Sequence, residues 1–91
     1  MTTFLIERNI PGAASLTPDQ LRAIATSSNA VVDGLSVPYR WQHSYVAGDK
    51  LYCVHETDDI AAVREHAARG NFPVDLVVEV AAVIGPQTAN A

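Results

Sequence analysis

The 91-residue chain is 48% hydrophobic, 18% charged and 7% aromatic, which fits one compact domain and leaves no room for a second. Six Lys and Arg against ten Asp and Glu give a net charge of -4 without a basic run, so a phosphate backbone finds no electrostatic footprint and no nucleic-acid partner is expected. No apolar run reaches the roughly 18 residues of a membrane helix, and a core this thin, burying roughly 60–65% of the extended chain's surface, invites a second subunit or a bound ion.

Thr3–Asn9 starts apolar, ends in Glu7 and Arg8, and halts at Ile10-Pro11-Gly12, which predicts a first strand rather than the apolar stretch of a signal peptide. Together with a single cysteine, Cys53, which rules out an internal disulfide, this makes the cytoplasm the expected location. Thr17-Pro18-Asp19-Gln20 supplies a capping hydroxyl, a proline at the first helical position and a Gln three residues after the cap, so a helix starts there. Its inward positions Leu21, Ile24, Ala25, Ser28, Val31, Val32 and Leu35 recur at three-and-four spacing, and Gly34 is expected to end it in a left-handed conformation.

Tyr39–Val46 and Leu51–His55 read as two strands joined through a Gly48-Asp49 turn. Asp58 and Asp59 then open a second helix whose buried stripe is expected to be Ile60, Val63 and Ala67, and Arg69-Gly70 closes it. Leu76–Ile84 is apolar apart from Glu79, as in a strand covered on both faces, and Gln87–Ala91 is expected to be a disordered tail. The order strand, helix, strand, strand, helix, strand is that of an α+β ferredoxin-like βαββαβ sandwich over residues 1–86. Two helices then cover one face of a four-stranded antiparallel sheet, with the first strand between the fourth and the third and the second at an edge.

With Gly48 and Asp49 in the turn, Val46 faces Leu51, Tyr45 faces Tyr52, Ser44 faces Cys53 and His43 faces Val54. Small and apolar Ser44, Val46, Leu51 and Cys53 then suit the helix side, while Trp41, His43, Tyr45, Tyr52 and Val54 fall on the open side with Leu5 and Glu7. A bare apolar face of that size calls for a cover, and a second copy packed sheet to sheet is the simplest one.

His43 can offer a neutral imidazole to a divalent transition metal or relay a proton, and the plainer alternative is an interface histidine hydrogen-bonded across a dimer. Glu7, on the same face, can complete a metal site, although a carboxylate at a strand end is commonly only solvated. Cys53 is a thiolate ligand or, more simply, a small core residue; His66, one position off the expected stripe, is a ligand or a satisfied boundary histidine. His55, beside Glu56, reads as exposed. Zinc-finger spacing, HExxH, a phosphate-binding loop, GxGxxG and GxSxG are all absent from the sequence.

Taken together, Glu7-Arg8 with Ile10-Pro11-Gly12, Trp41-Gln42-His43-Ser44-Tyr45-Val46, Lys50, Tyr52, Cys53, Arg64-Glu65-His66-Ala67, Gly70 and Phe72-Pro73 resemble a family of small bacterial proteins. One group of that family consists of nickel-binding, ferredoxin-like homodimers. The resemblance implies a homodimer and a nickel-binding or nickel-buffering role. The candidate metal ligands His43, Glu7, Cys53 and His66 come from side-chain chemistry and not from the resemblance, and the register puts Cys53 on the face opposite Glu7 and His43. The competing reading is a cofactor-free dimeric α+β barrel enzyme of monooxygenase or isomerase type, in which Trp41, His43 and Tyr45 line an apolar cavity of roughly 300 Å³ or more and His43 is the general base. A third is an interaction module whose function is the dimer itself.

Overall fold

The computed structural model describes residues 1–90. Its elements are β1 (Thr2–Asn9), a 3-10 turn (Ala13–Ser15), α1 (Pro18–Gly34), β2 (Tyr39–Ala47), β3 (Lys50–Thr57), α2 (Ile60–Gly70), β4 (Leu76–Glu79) and a closing 3-10 turn (Pro86–Asn90). The strands form one antiparallel sheet in the order β2-β3-β1-β4, with both helices packed on one face, the expected ferredoxin-like arrangement. Ala91, the last residue of the expected tail, lies outside the described residues.

The capping box at the head of α1 is complete: Gln20 N–H donates to Thr17 Oγ1 at 3.2 Å, and Thr17 N–H donates to Gln20 Oε1 at 2.9 Å. At the other end Gly34 does not take the expected left-handed conformation. It is the last helical residue, Leu35 follows extended, and the Gly34 carbonyl accepts from Arg69 Nη1 at 3.1 Å. In α2 the Asp59 carboxylate caps Ala61 N–H at 2.9 Å, and Asn71, not Gly70, makes the left-handed exit at φ 55°. The buried stripe of α2 is Ala62, Val63, His66 and Ala67; Ile60, expected inside, is 38% exposed.

The β2–β3 hairpin has the expected register from Ala47 opposite Lys50 to His43 opposite Val54. A bulge at Gln42 then intervenes and sets Trp41 opposite His55. An extra residue reverses the side on which everything beyond it points, so Trp41 belongs to the helix side and not to the open face where alternation had put it. Strand β4 is also shorter than expected. Only Leu76–Glu79 pairs with β1, one further bond runs from Val80 N–H to the Thr3 carbonyl at 2.8 Å, and Val83 and Ile84 are left 89% and 79% exposed.

The core is Phe4, Ile6, Ala13, Leu51, Cys53 and Val63, flanked by Ile10, Leu16, Tyr39, Val74 and Val77. It sits between the sheet, α2 and the 3-10 turn after β1, which is tied to the hairpin by Ala14 N–H to the Gly48 carbonyl at 2.9 Å and Gly12 N–H to Asp49 Oδ1 at 2.9 Å. Helix α1 stands farther off. Ser28 is its one buried residue, and Leu21, Ile24, Ala25, Val31 and Val32 are only half-buried.

Candidate functional site

The two faces of the sheet hold different chemistry. On the open face, the period of two along β1 sends Leu5 and Glu7 outward, and the hairpin register adds His43, Tyr45, Tyr52 and Val54. Glu7 stands opposite Tyr52, and Tyr52 opposite Tyr45; His43 lies one row away, opposite Val54. Two strand spacings, roughly 10 Å, therefore separate Glu7 from the strand of His43. The Glu7 carboxylate is instead paired with Lys50 Nζ at 3.1 Å, a hydrogen bond that raises the Lys50 ammonium above its ordinary pKa. His43 is exposed, its ring set edge-on to Tyr45 at 5.1 Å between centroids.

The helix side is where the polar groups are buried. Arg8, Ser28, His55, Thr57 and His66 are each at most 6% exposed. His66 Nε2 and Ser28 Oγ, from α2 and α1, share a 3.0 Å hydrogen bond that ties the helices together. The Tyr39 hydroxyl is hydrogen-bonded to His55 Nδ1. Around these bonds the rings form a column, with His66 stacked between Tyr39 at 5.4 Å and Phe72 at 5.3 Å, and His55 edge-on to His66 at 4.9 Å. Arg8 completes it, its guanidinium 5.5 Å from the Phe72 centroid and its Nη1 donating to the Pro73 carbonyl at 2.7 Å. Gly70 permits this arrangement because a Cβ there would stand 2.1 Å from the Phe72 ring.

Burial holds both histidines neutral. Desolvation, then the neighbouring His66 and Arg8, lower His55 from 6.5 to about 3; desolvation, then Arg8, lower His66 to about 4. Desolvation also pushes the Tyr39 phenol well above its ordinary value, so Tyr39 stays protonated. Two buried nitrogens have no hydrogen-bond partner, Arg8 Nη2 and His66 Nδ1. Arg8 has no carboxylate partner among the described residues, although a buried charge is normally paired.

Arg8, Ser28, His55, His66 and Phe72 line a cavity of about 520 Å³ between the sheet and α1, whose remaining walls include Leu21, Ile24, Trp41, Val46 and Leu51. Its size exceeds the roughly 300 Å³ of a small ligand site. It opens on the side of the sheet opposite His43 and Tyr45, so those two residues do not line it and the enzyme reading loses its proposed base. Cys53 is buried in the core and touches the cavity wall, and His66 is a central member of the ring column rather than a boundary residue. His55, expected to be exposed, is 1% exposed because it alternates with Leu51 and Cys53 along β3.

Sequence reasoning passed over Arg8, Tyr39, His55, Ser28 and Phe72 as site residues. The signal for Arg8 was present, since Phe4, Ile6 and Arg8 alternate onto one face of β1. The four candidate metal ligands do not fit nickel within one chain: Glu7 and His43 are apart on one face, Cys53 and His66 lie on the other, and His66 Nε2 is engaged with Ser28. Among the described residues no three His, Cys, Asp or Glu side chains come together as a metal site.

A family model described as "Nickel responsive protein SCO4226-like" matches residues 4–80. Among solved structures, the chain is similar to that of SCO4226 from Streptomyces coelicolor A3(2), with a TM-score of 0.74 and 21% identity over 90% of this chain and 99% of that one. That similarity shows the shared fold. No curated protein matches the chain.

Proposed function

The chain belongs to the SCO4226-like nickel responsive family, and from that premise we propose that it is a cytoplasmic homodimer that binds nickel, buffering the ion, with a metal site completed only when two copies meet on their open sheet faces. The observation that carries the reading is the separation of the donors. His43 is the candidate ligand that is both exposed and free of a hydrogen-bonded partner, while Glu7 is paired with Lys50 and Cys53 and His66 are enclosed beneath the helices. One imidazole does not hold nickel. Nitrogen and oxygen donors from a second copy, with water, would complete the shell that nickel prefers.

The open face supports the dimer. Tyr45 is 59% exposed, Leu76 49% and Val78 42%, beside half-buried Leu5, Tyr52 and Val54, and an apolar surface of that kind is seldom left to solvent. An isologous pairing buries the same patch on both copies and turns each His43 toward its partner's surface.

The test is nickel titration of untagged protein purified without a metal column, beside the His43→Ala variant. The expected result is saturable binding of at least one ion per dimer at micromolar affinity, lost in His43→Ala with the dimer intact. Binding retained in that variant would remove His43 from the site, and no binding to the unmodified protein would remove the function.

A further inference from the structure

We propose that the cavity beneath α1 is a binding site for an apolar carboxylate, a medium-length alkanoate or arylalkanoate, whose head group pairs with Arg8. Nothing about nickel or the dimer enters this assignment, because the cavity lies on the helix side of the sheet. Arg8 is 2% exposed, carries a permanent positive charge, and meets only the Pro73 carbonyl and the face of the Phe72 ring. Its Nη2 has no partner in the protein. Two N–H donors on a desolvated cation aimed at a cavity are a ready acceptor site for an anion.

A second orphan belongs to the lining of the same cavity. His66 Nδ1 is also unpartnered, and His66 and Arg8 lie against the same Phe72 ring. The Ser28 hydroxyl can turn to donate to His66 Nε2, which leaves Nδ1–H free to donate within the cavity. The histidines are neutral at pH 7, so the site carries one positive charge and matches one negative charge.

The rest of the cavity specifies the body of the ligand. Leu21, Ile24, Trp41, Val46 and Leu51 make the walls apolar, and about 520 Å³ accommodates a chain or ring beyond the head group. A single buried guanidinium among mostly apolar walls matches a monoanion better than a dianion, which favours the carboxylate. Val46, 40% exposed, stands at the rim and gives the site its way out to solvent.

Trp41 is the chain's one tryptophan and lines the cavity, so its fluorescence reports occupancy directly. The experiment titrates metal-free protein, in buffer containing a chelator, with decanoate, decan-1-ol and decylamine, which share a body and differ in head charge. Decanoate should saturate the signal at least about tenfold more tightly than decanol, with decylamine weakest, as one charge-assisted hydrogen bond would give. Arg8→Gln should lower decanoate to the affinity of decanol and leave decanol unchanged. Ala25→Phe, which fills the cavity from α1 and spares Arg8, should weaken both at least about tenfold. Equal binding of decanoate and decanol by the unmodified protein, no decanoate binding up to about 1 mM, or undiminished binding in Ala25→Phe would each overturn the assignment. Should Arg8→Gln fail to fold, the head-group series and Ala25→Phe decide the question alone.

Discussion

The two faces of the sheet are built from the same four strands, yet they differ in what they bury and what they show. The helix side encloses Arg8, His55 and His66 in a ring column beside a cavity; the open side exposes Tyr45, Leu76, Val78 and His43 with two ion pairs, Glu7–Lys50 and Arg40–Glu56. Alternation explains the division: Ile6 and Leu5 are adjacent in β1, but Ile6 is fully buried and Leu5 is not. Strand alternation thus encloses Arg8, His55 and His66 beneath the helices and leaves Tyr45, Leu76 and Val78 exposed on the other face.

The largest expected effect separates those neighbours. Ile6→Ala should cost about 3–4 kcal/mol in urea unfolding because it leaves a cavity in the core, whereas Leu5→Ala, measured at concentrations low enough to keep the chain monomeric, should cost less than about 1 kcal/mol. Equal costs would erase the distinction between the faces. Tyr39→Phe comes next. It strands His55 Nδ1 in the interior, for a loss of about 1–3 kcal/mol, and the same substitution at the exposed Tyr45 should be nearly neutral. Gly70→Ala should then cost about 1–2 kcal/mol, the displacement of the Phe72 ring outweighing the better helix propensity of alanine.

The buried histidines add a dependence on pH. Their folded-state values of about 3 and about 4 lie below the ordinary 6.5, so the unfolded chain binds protons that the folded one refuses. Stability should therefore be level above pH 7 and fall as the pH drops from 6.5 toward 4, with a slope up to about 1.4 kcal/mol per pH unit for each histidine. Urea unfolding at pH 7 and pH 5 measures it, and equal stabilities there would mean that the ring column is open to water.

Much of this arrangement could be read from the sequence. The Thr17-Pro18-Asp19-Gln20 cap, the Gly48-Asp49 turn and the strand alternation give the elements and the hairpin register, and hence the faces of His43, Tyr45 and Cys53. Trp41 could not be placed because no glycine or proline marks the bulge at Gln42 that reverses its side. The end of β4 was hidden for another reason. Its apolar run continues past Glu79, but the ladder with β1 ends where Glu79 meets Phe4, with one further bond from Val80 N–H to the Thr3 carbonyl, and no turn residue marks that point. The site was harder still, since the neutrality of His55 and the missing partner of Arg8 arise only when α1, α2 and the sheet meet.

If nickel requires two copies joined at the open face, a monomeric variant should lose it, and nickel titration of such a variant decides the matter. Val78→Asp places a charge on that face from β4, opposite Leu5 and at the end of the sheet away from the His43 strand. The account expects a folded monomer by sedimentation with nickel affinity reduced at least about hundredfold, equivalent to roughly 2.7 kcal/mol. A folded monomer that binds nickel as tightly as the unmodified protein would contradict it.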